Sequence, residues 1–411
     1  MTAALNDSPA STERFAARRN HILEVGARMI NERGLKGLSL GAVAEEIGIG
    51  GTGVTYYFKR KEMLAEACYD RSLDALEDQL LEAAKQPDLA SRISRLIRSA
   101  FAELRRDGHE RPRTLALLNE MRAMDDLSRA RLIRRYLAVF RVARGFFDMP
   151  DTVPGKLAEI MRSHILLETV HDLPRWLERY AVEEYDRVAD SLIDLLLYGI
   201  SPDAAAPDPG VFSGFDEDAS QRDRFLGAAT MLMNERGYRG ASVDRIAAAL
   251  KVTKGSFYHH IDAKDDLVLA CYRRSLDVIG HAQNGALLRP APFLGRLANA
   301  FGSLISLQLG DGTPLLRSTA LAALPPELMQ EAVDRSSKVA RRFAGMVIDG
   351  MADGSIRPVD PLIAGQYIMC FLNAAFELRK VSRRVRIEEA VNLYSSILYC
   401  GMAGPTPLAD N

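Results

Sequence analysis

The chain repeats itself once, at a spacing of 203 residues. Asn31-Glu32-Arg33-Gly34 returns as Asn234-Glu235-Arg236-Gly237. At the same offset and without gaps, Ser39 meets Ser242, Ala44 meets Ala247 and Lys61 meets Lys264. Cys68-Tyr69 and Arg71-Ser72-Leu73-Asp74 meet Cys271-Tyr272 and Arg274-Ser275-Leu276-Asp277. The offset is about half of the 411 residues, which makes this a duplication into two copies and not a solenoid of short repeats.

Within the second copy, Ser242 to Asp266 reads as two short helices around a tight turn, followed by the start of a third. Val243, Ile246 and Leu250 fall three and four apart, on one helical face. Ser242 stands where an N-cap belongs. Lys251 and Val252 interrupt the pattern, although a glycine or asparagine would suit a positive-φ turn better than Lys251. Thr253 then caps a helix from Lys254 to Ile261, with Phe257 and Ile261 inward and Lys254, Gly255, Tyr258 and His259 outward. A short helix that is basic, glycine-containing and aromatic on its free face has the chemistry of a recognition helix. Lysine meets phosphate or guanine, glycine admits a close backbone, and tyrosine reaches a phosphate or a thymine methyl.

The rest of the chain reads as helix. Arg14 to Arg33 places Ile22, Val25 and Met29 at core spacing, and Arg14, Arg18 and Arg19 at its start can lie beside a DNA backbone or form a solvated face. Ser39 caps the next helix, Gly48 supplies a turn, residues 50–58 are the first copy of the recognition helix, and Lys61 to Ala84 is a long connector. Helical periodicity continues through 88–107, 114–124, 127–147, 156–180 and 182–200, with no convincing strand. Residues 201–218, rich in Pro, Ala and Asp, read as a linker. In the second copy Phe225, Ala228 and Leu232 stand for Ile22, Val25 and Met29. Helices follow at 264–286, 293–309, near 315–321, and at 326–351, 361–380 and 387–400. The reading is all-α, with a head at 1–66, a regulatory and dimerisation domain at 67–200, the linker, a second head at 219–269 and a second domain at 270–411.

A net charge of −1 means that any nucleic-acid contact must come from local basic patches. The four cysteines do not form a disulfide framework, and Cys68 and Cys271 read as small buried hydrophobes. No apolar stretch is expected to span a membrane, and residues 1–10 lack a signal pattern, so a cytoplasmic location is expected. No catalytic constellation and no cofactor are expected. Gly50–Gly53 follows no strand and is not read as a nucleotide loop. His164, Glu168 and His171 share a helical face, which fits packing in a dimerisation layer or lining a pocket better than a metal site. Arg129, Arg131, Arg134, Arg135, Arg141 and Arg144 crowd one helix, as a solvated face or, alternatively, for an anionic effector.

The run from NERG through S-V-x-x-I-A-x-x-L and V-T-K-G-S-F-Y-H-H to K-D-D-L resembles the TetR (tetracycline-repressor) family of bacterial regulators. Gly350 to Pro361 also resembles the loop before the penultimate helix in many members. The resemblance covers most of both halves and is most specific in 219–278. It implies an all-helical fold with a DNA-binding head and a larger domain for small-molecule binding and dimerisation. In ordinary members the last two helices of one unit form the dimer.

By that resemblance the DNA-contacting positions of the second copy are Lys254, Gly255, Tyr258 and His259, with Lys264 at a phosphate and Ser242 at the start of the supporting helix. The first copy holds Gly51, Thr52, Thr55, Tyr56, Lys61 and Ser39 at these positions. Glycine and threonine there replace the usual lysine and tyrosine, and glycines at 50, 51 and 53 weaken the helix start by about 1 kcal/mol per interior residue.

The partners implied are a double-stranded DNA operator and an unknown small-molecule effector. The assembly implied is a pseudo-dimer within one chain or a homodimer, with helices 156–180 and 182–200 against 361–380 and 387–400. The competing class is a helical interaction protein that kept the fold and lost DNA binding.

Overall fold

The computed structural model describes residues 9–107, 115–118, 121, 124–207, 221–240, 243–250 and 264–407. Among them every regular element is helical. The helices are α1 (Pro9–Gly37), α2 (Leu40–Glu46), α3 (Gly51–Tyr57), α4 (Lys61–Ala84), α5 (Leu89–Asp107), α6 (Asp126–Arg144), α7 (Val153–Leu177) and α8 (Tyr185–Tyr198) in the first copy. The second copy holds α9 (Gln221–Gly240), α10 (Val243–Leu250), α11 (Lys264–Leu287), α12 (Phe293–Leu309), α13 (Pro326–Ala352), α14 (Pro361–Ser382) and α15 (Ile387–Cys400). The chain divides into two compact units, one of residues 1–78 with 103–139 and one of residues 79–102 with 140–411.

The first unit is the first head with the elements that brace it. α1 breaks at Gly34, whose φ of 62° is open to glycine and costly for other residues. Ile22, Val25, Met29, Val43, Val54, Phe58, Leu64 and Cys68 are all buried in one core. Gly26 lets α4 come close: a Cβ there would stand 3.1 Å from the Cys68 sulfur. Cys68 donates to the Leu23 carbonyl at 3.5 Å, and burial pushes its thiol up to about 12.

Two of the six arginines that crowd α6 are paired with carboxylates of α4. Arg131 reaches Asp70 at 2.7 Å and Glu66 at 3.1 Å, and Arg135 reaches Glu77 at 2.6 Å and Asp74 at 2.8 Å. α6 is thus laced to α4 along one turn after another. Hydrogen bonding to Arg135 holds the Glu77 carboxyl below its usual range against the opposing effect of burial.

The second unit contains the described part of the second head and the meeting of the two halves. Cys271 donates to Leu226 at 3.4 Å as Cys68 does to Leu23, and burial pushes it too to about 12. α9 breaks at Gly237, φ 70°, the counterpart of Gly34. Its inward face differs by one residue from the sequence reading. Phe225, Leu226, Ala229 and Met233 are buried, while Ala228 and Leu232 are only half-buried. The face is set by the packing of α9 on α11, not by the offset alone.

α7 and α8 pack against α14 and α15, so the last two helices of one half meet the last two of the other. The contact is reciprocal down to the backbone. Ser201 N–H donates to the Tyr399 carbonyl at 2.9 Å, and Met402 N–H donates to the Leu196 carbonyl at 2.7 Å. Arg357, in the loop before α14, crosses to the end of α8, donating to the Gly199 carbonyl at 2.8 Å and pairing with Asp194 at 2.8 Å. From the other side Arg162 of α7, 3% exposed, donates to the Gly404 carbonyl at 2.9 Å and the Thr406 hydroxyl at 2.6 Å.

α14 corrects one expectation: by length and composition it could cross a membrane. Its apolar surface is taken up instead by α7, α12 and α13, and Phe371 stacks edge-on with Phe301, Tyr367 and Tyr394 at centroid distances of 5.6, 4.7 and 5.2 Å.

Candidate nucleic-acid interface

The first head can be followed residue by residue. Ser39, extended at φ −141°, accepts from the Ala42 N–H at 3.0 Å and so caps α2. Gly37-Leu38-Ser39-Leu40-Gly41 also spells G-x-S-x-G, the string of a nucleophile elbow. No strand leads into it and the hydroxyl is spent on the helix start, so the string here is a cap. α2 ends at Glu46, and Gly48 turns the chain at φ 66°. Ile49 N–H closes the turn on the Ala44 carbonyl at 3.0 Å.

α3 follows in spite of its glycines. Gly53 N–H bonds the Gly50 carbonyl at 2.7 Å and Phe58 N–H the Val54 carbonyl at 3.0 Å. A Cβ on Gly53 would stand 2.9 Å from Ile49 Cδ1, so the small residue lets the turn fold against the helix. Val54 and Phe58 anchor α3 in the core, Thr55 is half-buried, and Tyr56 is 68% exposed. Thr52 lies on the same helix, and Lys61, exposed, opens α4.

The sequence reading did not single out Phe15. It lies 42% exposed on α1, with its ring centroid 4.7 Å from that of Tyr57 and 6.0 Å from that of Tyr56. One turn further, Arg19 lies over the ring of Phe58 at 5.4 Å. Arg14 and Arg18 are exposed on the same stretch of helix.

In the second head Ser242, Lys254, Gly255, Tyr258 and His259 lie outside the described residues. Lys264 is the first residue of α11, as Lys61 is of α4. Val243–Leu250 forms the supporting helix, with Ile246 and Ala247 buried.

Each head is tied to the helical domain behind it by the asparagine of its NERG motif. Asn31 donates to the Leu115 carbonyl at 2.9 Å and accepts from the Leu117 N–H at 2.8 Å. Asn234 donates to the Leu315 carbonyl at 2.8 Å and accepts from the Arg317 N–H at 3.0 Å. One amide thus engages both backbone groups of a segment two residues apart, as a neighbouring strand would. The repeat of Asn31 in Asn234 was legible, but its partners are far away in sequence.

His164, Glu168 and His171 lie on α7 near the contact with α14. Among the described residues no group of three metal-ligating side chains is arranged to hold an ion. His164 Nε2 lies 3.1 Å from the Ala374 carbonyl, and Glu168 lies 3.8 Å from Arg317, which also pairs with Glu377. Burial raises the Glu168 carboxyl, but His164, Arg317 and His171 together outweigh it and hold it below its usual range.

Two segments, residues 22–68 and 225–271, match the family profile "Bacterial regulatory proteins, tetR family", at the same 203-residue offset as the internal repeat. The Transposon Tn10 TetC protein of Escherichia coli is 43% identical over 54 residues, which is 13% of this chain and only 27% of that protein's length. The HTH-type transcriptional repressor DhaR of Mycobacterium sp. (strain GP1) is 28% identical over 168 residues, 39% of this chain and 83% of that protein. Among solved structures, the TetR family transcriptional regulator PfmR from Thermus thermophilus aligns with 44% of this chain and 99% of its own, at 22% identity and a TM-score of 0.34.

Proposed function

We propose, for a chain that belongs to the tetR family of bacterial regulatory proteins and carries the family's domain twice, that a single molecule does the work of a family dimer. In this reading it is a repressor whose two heads, 1–66 and 219–269, engage the two halves of one pseudo-palindromic operator. Helical domains at 67–200 and 270–411, joined through 201–218, respond to a small-molecule effector. The effector binds more tightly to a state in which the heads no longer fit the operator, and shifts the population towards it.

The observation that carries the reading is the contact of α7 and α8 with α14 and α15 inside one chain. In an isologous dimer two identical surfaces meet about a two-fold axis. Here the two surfaces are the matching helices of a duplicated chain, held at a high effective concentration by the linker.

The test is a mobility-shift titration of the full chain on the DNA upstream of its own coding sequence, across a salt series. Specific binding that weakens linearly in log salt supports the reading. Absence of any sequence preference favours the alternative, a helical interaction protein. Sedimentation on a short operator then counts chains: one per operator fits a pseudo-dimer, and only species with two chains exclude it.

A further inference from the structure

We propose that Phe15 is a positioning residue of the first head, which sets Tyr56 for contact with the operator; this rests on the reading of the chain as an operator-binding regulator. The first recognition helix lacks the lysine expected at Gly51 and starts with glycines at 50, 51 and 53, so it begins poorly organised and uncharged. The structure supplies what the helix itself lacks. Phe15, Arg19 and Ile22 lie four and three apart on one face of α1. Ile22 is fully buried in the core of the head, Arg19 covers Phe58, and Phe15 carries the same face out onto α3.

There it meets both tyrosines. Phe15 is tilted against Tyr57 at 4.7 Å and stands edge-on to Tyr56 at 6.0 Å, while Tyr56 and Tyr57 stand edge-on at 5.3 Å. Tyr56 is therefore packed from two directions and still 68% exposed. A side chain held in this way loses less rotational freedom when it binds. Its ring and hydroxyl are offered on the free face of the recognition helix, with Arg14 and Arg18 exposed nearby on α1. Phe15 itself is 42% exposed, and an aromatic cluster left in water at the outer face of a helix-turn-helix marks a contact surface.

The second copy does not carry these three aromatic residues in its sequence. At the same offset the residues are Asp218, His259 and His260, and the recognition helix keeps Lys254. The first head thus has an aromatic residue on α1 where the second copy has an acidic one, and a glycine at 51 where the second copy has Lys254.

The experiment uses full-length protein and the operator recovered by selection from random DNA, together with operators in which each half-site in turn is scrambled. Tyr56→Ala identifies the bases read by the first head as those whose preference it erases. Phe15→Ala is expected to weaken binding about tenfold and to erase the same preferences while leaving those of the other half intact. The Phe15→Ala/Tyr56→Ala double variant should lose no more than Tyr56→Ala alone, because Phe15 acts through Tyr56. Phe15→Tyr should restore binding. Phe15→Leu, which keeps apolar bulk but not the ring edges, guards against a folding defect: it should melt as the wild type does and still lose the preferences. Losses that multiply in the double variant, or unchanged base preferences in Phe15→Ala and Phe15→Leu, overturn the inference. If the unmodified protein selects no sequence at all, the reading as an operator-binding regulator falls, and this inference with it.

Discussion

Gly199 and Gly401 stand at the C-terminal ends of α8 and α15, and each faces the backbone at the end of the other's helix. Their φ values are 64° and 74°, with ψ far from the left-handed helix. A Cβ on Gly199 would run into the Tyr399 carbonyl, and a Cβ on Gly401 into the Leu197 carbonyl. The two residues sit where the halves exchange backbone hydrogen bonds, so any side chain at either one parts the halves. Gly199→Ala and Gly401→Ala should each cost about 1–3 kcal/mol from backbone strain alone, and more from the lost contact. Thermal unfolding of the two variants reads this directly. A melting temperature within a degree of the wild type for both would contradict the packing described.

The paired asparagines make a second prediction. Asn234 is 3% exposed, and its removal strands the Leu315 carbonyl and the Arg317 N–H. Asn234→Ala should lower stability by about 1–3 kcal/mol in urea unfolding. Asn31 is only half-buried, so water can replace it, and Asn31→Ala should cost less. Equal losses at the two positions would show that burial does not govern them.

The interface should weaken in mild acid. Burial lowers the basicity of His171, although Glu168 partly opposes it. With its folded value below the unfolded one, the unfolded chain binds more protons between the two, so stability falls as pH drops through that window. Glu168, held low, adds a loss of the same sign at lower pH. Asp172, raised by burial, pulls the other way as it takes up its proton. The expected outcome is a fall in unfolding free energy from pH 7 to pH 5 that becomes shallower in His171→Gln. An identical slope in that variant would remove His171 from the account.

The two heads should read unlike half-sites. Lys254→Ala or Tyr258→Ala is expected to cripple binding, with about 1–3 kcal/mol lost for a bidentate base contact and a salt slope smaller by about one unit for a lost lysine contact to phosphate. Thr55→Ala should cost less, because the first head offers hydroxyls where the second offers a cation. Site selection with the intact chain should return a lopsided inverted repeat. A symmetric palindrome with equal information in both halves would mean that one head is used twice.

Much of this protein was determined by its sequence. The 203-residue offset requires two like units, the three-and-four spacing makes them helical, the Ser39 cap starts α2, and glycines break α1 at Gly34 and α9 at Gly237. These are local signals, and local backbone preference with burial of one face is enough to decode them. What depends on partners distant in the chain was not legible. Residues 114–124 have a helical pattern, yet the described part of that segment around Leu115 and Leu117 is drawn out along Asn31, and its counterpart keeps only a 3-10 turn at Ser318–Ala323. Arg131 and Arg135 belong to a basic face in sequence and form ion pairs in space, because α4 presents Glu66, Asp70, Asp74 and Glu77 to them. Phe15 reads as one apolar residue among arginines until α1 is folded against α3. Only the tertiary structure decided which half α7, α8, α14 and α15 would pack on, since an apolar helix face fixes that it must be covered and not by what.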